Sequence, residues 1–275
     1  MHDNLFVFDI ETVPDTDVLK CLTGSETEDI QALRKELEDY HIEVSGNPFP
    51  RQPFHKVVAI SFLEADIETC RDGTEIYHIT DLRSGGTETS SEEDLIKGLF
   101  NHLSKRPPRF VSYNGRTFDL PVLKYRAMKY GVSAPWFYKL GDKWNNYSQR
   151  YSLDWHCDLL EAFSDFGASA RCKMNEVCSI MGIPGKLDTD GSQVSDLYDQ
   201  GKIKEIRDYC ETDVMNTYLL YLNFQFHAGN INKDNFYNCL VELKNYLSSF
   251  GNNQDKHHFN EFLEAWKKFD TRDIF

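Results

Sequence analysis

Hydrophobic and polar positions along the chain follow two periods, and the places where one gives way to the other outline a fold. Residues 4–10 (NLFVFDI) form a dense apolar run rich in Phe and Val, short enough for a buried central strand that ends in the acids of Asp9-Ile10-Glu11-Thr12. Residues 13–56 mix Pro, Gly and Asn with one charged, helix-favouring stretch around 30–40, which predicts an insertion lying over the sheet. Strand character returns at 57–63 (VVAISFL) and 74–80 (TEIYHIT), on either side of Arg71-Asp72-Gly73, the pattern of an antiparallel hairpin. Ser90 and Ser91 before Glu92 and Glu93 predict a capped helix through about His102. Residues 109–113 (RFVSY) predict another strand running into Asn114-Gly115, with a helix starting near Asp119-Leu120-Pro121. Helical segments are expected near 156–166 and 173–181, then a long helix over about 202–226, then a wholly helical last fifty residues. Strand, hairpin, helix, strand and helices in that order predict an α/β mixed sheet flanked by helices.

Composition narrows the class. With 275 residues, 40% of them hydrophobic and 27% charged, the chain suits one α/β domain with an appendage, divided here into 1–226 and a helical extension, 227–275. No apolar run is long enough to span a bilayer, and the N-terminus lacks the basic region of a secretory signal. The seven cysteines are odd in number and form no CxxC pair, so reduced thiols and a cytoplasmic location are expected. A net charge of −14 argues against indiscriminate coating of nucleic acid. The segment from Lys97 to Lys186 nevertheless carries fourteen Lys/Arg against seven Asp/Glu, either a phosphate-facing surface or an uneven scatter of solvated charges. Neither GxGxxG nor GxxxxGK[ST] occurs, which removes the main support for a Rossmann or P-loop protein.

The chemistry lies in the acids. Side chains alternate along a strand, so Asp9 and Glu11 share one face while Phe8 and Ile10 take the other. Two carboxylates together at the end of an apolar strand repel unless a cation neutralises them, and all-oxygen ligands favour Mg²⁺ or Mn²⁺ over zinc. The same four letters recur at 66–69, where acids on a ribbon near a turn need no metal and are expected far from Asp9. Asp119 alone reads as a helix N-cap; its interest comes from Asn114 and the strand-to-helix turn before it, a ligand-binding place in open α/β sheets. Tyr209 and Asp213 are four apart on the long helix, so they share a face. Tyr77/Asp81 and Tyr138/Asp142 have the same spacing, but Asp213 also flanks an expected inward stripe of Ile203, Ile206, Cys210, Val214, Thr217, Tyr221 and Phe224.

Together, Asp9-Ile10-Glu11-Thr12, Tyr113-Asn114-Gly115-Arg116-Thr117-Phe118-Asp119 and Tyr209-Cys210-Glu211-Thr212-Asp213 resemble, in order, the three exonuclease motifs of the tyrosine branch of the DEDD nucleases. Gly182-Ile183-Pro184-Gly185-Lys186, Asp190-Gly191-Ser192-Gln193-Val194 and the run at 209–216 are similar to the phrasing of bacterial stand-alone proteins related to the proofreading exonuclease domain of family-B DNA polymerases. The resemblance covers roughly residues 1–230 and implies a ribonuclease-H-like fold and 3′→5′ exonuclease activity with two divalent ions, Mg²⁺ or Mn²⁺. It implies that Asp9, Glu11 and Asp213 hold one ion, that Asp9 bridges to a second supported by Asp119, and that Tyr209 orients the attacking water. Thr12, Asn114 and Phe118 match positions that meet the terminal nucleotide, and Lys186 is placed to reach a phosphate. Each has a plainer role: Thr12 ends a strand, Asn114 allows a turn, Phe118 fills core and Lys186 sits in an exposed turn.

The expected partner is a nucleic-acid 3′ end, single-stranded ends being favoured by sequence-tolerant stacking on Phe118, with DNA preferred. The chain ends about sixty residues after Asp213, so no polymerase domain is expected in cis. A nuclease-fold module that binds ends without cutting, and an endonuclease on the same sheet, are the competing readings; four intact carboxylates plus Tyr209 argue against the first. Trp136, Trp144 and Trp155 are expected in core packing, His156 in a structural role, and the C-terminal helices as a brace for the long helix.

Overall fold

The apolar run at 4–10 lies within β1 (Asn4–Pro14), the centre of the sheet, in a computed structural model that describes residues 2–185, 193–251 and 253–269. β1 pairs antiparallel with β2 (His55–Thr69), which pairs antiparallel with β3 (Glu75–Ser84). On its other side β1 runs parallel to β4 (Arg109–Ser112), and β4 runs parallel to β5 (His156–Asp158). The resulting five-stranded sheet has the order β3-β2-β1-β4-β5, a ribonuclease-H-like mixed sheet with helices on both faces. The expected hairpin at 57–80 is present, and so is the alternation along β1.

That alternation sorts the core into two layers. Phe6, Phe8 and Ile10 pack with Phe62 and Phe110 against α3 (Glu92–Lys105) and α4 (Asp119–Lys129). Leu5 and Val7 pack with Leu63, Leu82 and Val111 on the opposite face, beneath α9 (Ile203–His227). The expected single inward stripe on α9 proves too narrow: every side chain from Tyr209 to Leu222 is buried. The cause is tertiary, since α10 (Lys233–Ser248) and α11 (His257–Phe269) close over the side of α9 turned away from the sheet.

The last helices also protect an edge. β3 ends the sheet, and α10 supplies acceptors for its outward N–H groups: Glu242 Oε1 accepts from Ile79 at 2.6 Å and the Tyr246 hydroxyl from Leu82 at 3.0 Å. In 13–56 the chain forms α1 (Thr16–Thr23) as well as the expected helix, α2 (Ile30–Ser45), while residues 13–14 still belong to β1 and 55–56 already to β2. α5 (Pro135–Lys139) follows α4.

Two expectations fail here. The helix expected over 156–166 is β5 followed by α6 (Leu159–Phe163), because a three-residue strand is too short to show alternation and is created by pairing with β4. Trp136 is buried and Trp155 half-buried as expected, but Trp144 is 70% exposed on a loop, its ring covered only by the Lys143 ammonium at 4.8 Å. α7 (Met174–Met181) and α8 (Val194–Asp199) complete the described elements. Among the described residues, no helix is long and apolar enough to cross a membrane.

Candidate active site

The acids of β1 point toward α9, as the strand period requires, and the sheet pairing slips beside them. A bulge places Glu11 opposite Ala59 but Thr12 opposite Val57, leaving Val58 extra. Such a slip re-aims the side chains at the end of a strand. The second DIET is at the far end: Asp66 pairs with Asn4 across the strands and its carboxylate takes the Arg106 guanidinium at 2.6 Å.

Asp119 reaches the same place from the other face. The plainer N-cap reading does not hold, since Phe118 is the N-cap residue of α4 and Asp119 is the first helical residue. Its Oδ1 instead accepts the backbone N–H of Ile10 at 3.2 Å, which ties the start of α4 to the strand between Asp9 and Glu11. The turn before it is built for a close approach. Asn114 adopts the left-handed region (φ 71°), and a Cβ on Gly115 would lie 2.5 Å from Ser112 Oγ. Ser112 cannot yield, because it is buried and hydrogen-bonded to His156 Nε2 at 2.7 Å. Gly115→Ala is therefore expected to displace the turn and lower nuclease turnover about 10²-fold with the fold retained, as read by activity beside circular dichroism.

From α9, Tyr209 and Asp213 complete the group. Burial pushes the Asp9 carboxyl well above the ordinary carboxylate range, and the charges of Asp119, Glu11 and Asp213 push it further. Burial likewise raises Asp119 to about 7, although backbone N–H groups, including that of Ile10, oppose the shift. The Tyr209 hydroxyl is pushed strongly upward by burial, by the charges of Asp213, Glu11 and Asp9, and by its hydrogen bond with Asp213. It keeps its proton at any physiological pH.

Would divalent cations suit these groups? Among the described residues, Asp9, Glu11 and Cys210 offer donor atoms that lie within 4.8 Å of one another. Burial pushes the Cys210 thiol well above its ordinary range, so it is a neutral S–H here, and the anionic donors are all carboxylate oxygens. A cluster of carboxylate oxygens whose charges raise the pKa of Asp9 at its centre fits hard ions such as Mg²⁺ or Mn²⁺.

Beside the acids opens a cleft of ≈740 Å³ lined by Glu11, Thr12 and Phe118, by Gln31, Arg34 and Lys35 of α2 and by Ser195 and Asp196 of α8. Phe118 is half-buried, its ring 4.8 Å from that of His55 and 5.8 Å from that of Phe49. Thr12 Oγ1 is hydrogen-bonded to His55 Nδ1 at 2.9 Å. The Asn114 side-chain oxygen accepts from the Thr117 hydroxyl, and its backbone N–H donates to Asp158 at 3.0 Å. Lys186 and residues 187–192 lie outside the described residues, so the structure places Asp9, Glu11, Thr12, Asn114, Phe118, Asp119, Tyr209 and Asp213 around one end of β1 and leaves Lys186 unplaced.

Sequence reasoning missed several supports. Asp158 accepts the N–H groups of Asn114 and Arg116 and thereby holds the turn before Asp119, a role hidden while 156–166 was read as helix. Asn216 clasps Gly185 through two hydrogen bonds of 3.1 and 2.9 Å, and its place three residues after Asp213 was the available signal. Part of the positive charge of 97–186 is taken up in ion pairs: Arg109 and Arg126 are buried against Glu75, Asp15 and Glu92, and the more exposed Arg150 and Arg171 share Glu161.

The comparisons agree with this geometry. A search of curated proteins finds no match to the chain. A family model described as "Predicted 3'-5' exonuclease related to the exonuclease domain of PolB" matches residues 47–266, a span that contains Asp119, Tyr209 and Asp213 and begins after β1. With most of its length matched, the chain belongs to this family of exonucleases related to the PolB exonuclease domain.

Proposed function

We propose that the protein is a 3′→5′ exonuclease that removes nucleoside 5′-monophosphates from single-stranded 3′ ends, DNA foremost, with two divalent ions. The observation that carries this reading is the convergence of four carboxylates from β1, α4 and α9 beside an aromatic-lined cleft, with Asp9 raised in pKa by burial and by the charges of the other three. Asp9, Glu11 and Asp213 would hold one ion, with Asp9 and Asp119 facing the other. Bound there, Mg²⁺ or Mn²⁺ would supply an acidified water and offset charge on the departing 3′ oxygen.

The chain's own groups do the rest. Tyr209 keeps its proton beside Asp213, so it orients the attacking water by hydrogen bonding and does not serve as general base. Phe118 offers the terminal base a ring face, and Thr12 and Asn114 border the sugar. Stacking of this kind tolerates every base and requires an unpaired end. The DNA preference rests on the resemblance to proofreading domains of DNA polymerases.

Digestion of a 5′-labelled single-stranded oligonucleotide with Mn²⁺ tests the reading, with RNA and duplex versions in parallel. A ladder of shortened, still labelled products that disappears with EDTA is expected. Cuts within a circular single strand would instead make it an endonuclease, and metal binding without cleavage of any substrate would make it an end-binding module.

A further inference from the structure

A row of small polar side chains crosses the face of the sheet beneath α9. Asp9 on β1 is opposite Ser61 on β2, and Ser61 is opposite Ser84 on β3. Both serines are buried among leucines, valines and tyrosines, where a hydroxyl without a partner costs about 1–3 kcal/mol. Each has partners on both sides.

The contacts run without a break from one carboxylate to another. The Cys210 thiol lies 3.5 Å from Asp9 Oδ2 and 3.4 Å from the Asp9 carbonyl oxygen. Ser61, which faces Asp9 across the strands, is close enough to the Cys210 sulfur to favour its thiolate form and is hydrogen-bonded at 2.8 Å to Ser84 Oγ. Ser84 donates both its hydroxyl, at 2.9 Å, and its backbone N–H, at 2.8 Å, to Glu211 Oε1. The other oxygen of Glu211 takes Lys256 at 2.6 Å and His258 at 2.8 Å, both from the C-terminal extension. His258 in turn meets Asp208, 3.3 Å away.

The protons can be placed along this row. A carboxylate only accepts, so Ser84 O–H must point to Glu211 and Cys210 S–H to Asp9. The Ser61 proton then serves either the Ser84 oxygen or the Cys210 sulfur. With one proton each for three groups, both ends of the row are polarised outward, toward Asp9 and Glu211.

We propose that Cys210, Ser61 and Ser84 are positioning residues for Asp9, and that through Glu211 they couple the metal-binding carboxylate to docking of the α11 segment. The thiol fixes which oxygen of Asp9 faces the helix, and the serines fix the thiol. Partners of this kind orient ligands before an ion arrives, and their loss commonly weakens metal affinity 10- to 100-fold. Coupling is reciprocal, so an ion at Asp9 must also tighten α11. The inference rests on the reading of Asp9 as a metal ligand.

Two measurements on the full chain test it: calorimetric titration with Mn²⁺, and amide hydrogen exchange of residues 257–269 with and without Mn²⁺. Cys210→Ala and Ser61→Ala are expected to weaken Mn²⁺ binding about 10- to 100-fold, whereas Cys210→Ser, which restores a short donor, stays within roughly threefold of the parent. Exchange in α11 is expected to slow on Mn²⁺ addition in the parent and not in Ser61→Ala. His258→Asn, at the far end of the row and on the outer helix, supplies a second variant if the core serines prove intolerant; weaker Mn²⁺ binding is expected from it too. Parent-like Mn²⁺ binding in Cys210→Ala and His258→Asn, or a Cys210→Ser no better than Cys210→Ala, overturns the positioning role. A parent chain that binds no Mn²⁺ overturns the metal-ligand reading itself, whereas binding lost in Asp9→Asn but kept in the row variants sinks the row alone.

Discussion

Asp9→Asn is expected to lower nucleic-acid hydrolysis about 10³-fold and at the same time to raise the melting temperature of the metal-free protein. The two effects share a cause. Asp9 is held against Asp119, Glu11 and Asp213, and its protonated form is favoured by burial and by those charges. Asparagine keeps the neutral shape without the cost of drawing a proton onto a buried carboxyl at neutral pH, a gain of about 1–2 kcal/mol, or a few degrees in melting temperature for a chain of this size. Catalysis loses a ligand that no neighbour replaces, because Cys210 is a neutral thiol.

The sign of the pH dependence follows. Folded Asp119 takes up its proton at about 7, whereas the unfolded chain does so only near 3.8, so between those values the native state binds more protons. Asp119 therefore adds stability to the metal-free protein as pH falls from about 7 toward 4.5, against an opposing loss from His156, His55 and His2, whose burial holds their pKa values down. Below that range Glu211 dominates with the opposite sign: its carboxyl is held down to about 2 by His258 and Lys256 despite burial, so its contribution, complete above 4.5, is lost as pH falls toward 2. Saturating Mn²⁺ reverses the upper limb, since the ion needs ionised carboxylates. Melting curves over this pH range with EDTA or Mn²⁺ check the scheme; an Asp9→Asn variant that melts lower than the parent without metal would contradict it.

The largest loss of stability is expected from Arg126→Ala. Arg126 on α4 is 2% exposed and lies between two buried acids, Asp15 at 2.6 Å and Glu92 in a second close contact. Asp15 caps α1, while Glu92 also accepts the Val57 N–H at 2.6 Å and the Tyr130 hydroxyl at 2.6 Å. Removing the guanidinium leaves two buried carboxylates without their cation, which costs about 3–5 kcal/mol. Urea denaturation should show that loss, with a fall in melting temperature of roughly 10 °C. Lysine cannot reproduce the fork and should recover only part. α4 begins at Asp119, so the same variant is expected to lose activity before it unfolds. An alanine variant within about 1 kcal/mol of the parent would show that the network contributes little.

Local pattern carried much of the architecture. Alternation in NLFVFDIET put Asp9 and Glu11 on the face opposite Phe8 and Ile10, and Ser91 with Asp94 formed the capping box expected before α3. These are contests between a residue and its near neighbours, decided by backbone period and local hydrogen bonding. The second DIET at 66–69 was separable by the antiparallel register alone, which sends the end of β2 to the far end of β1.

What the sequence could not decide depends on which distant groups meet. Its own determination reached the sheet, the hairpin, the long helix and the identity of the acids, because each is written in side-chain period and residue type. Only tertiary contact turned 156–158 into a strand, moved Asp119 from an expected cap to the Ile10 N–H, and closed α10 and α11 over α9. Hydrogen-bond partners 109 residues apart, or an aspartate and two serines on three strands lined up beneath a helix, leave no periodic trace in the chain, since their energy comes from burial that exists only after the sheet is assembled.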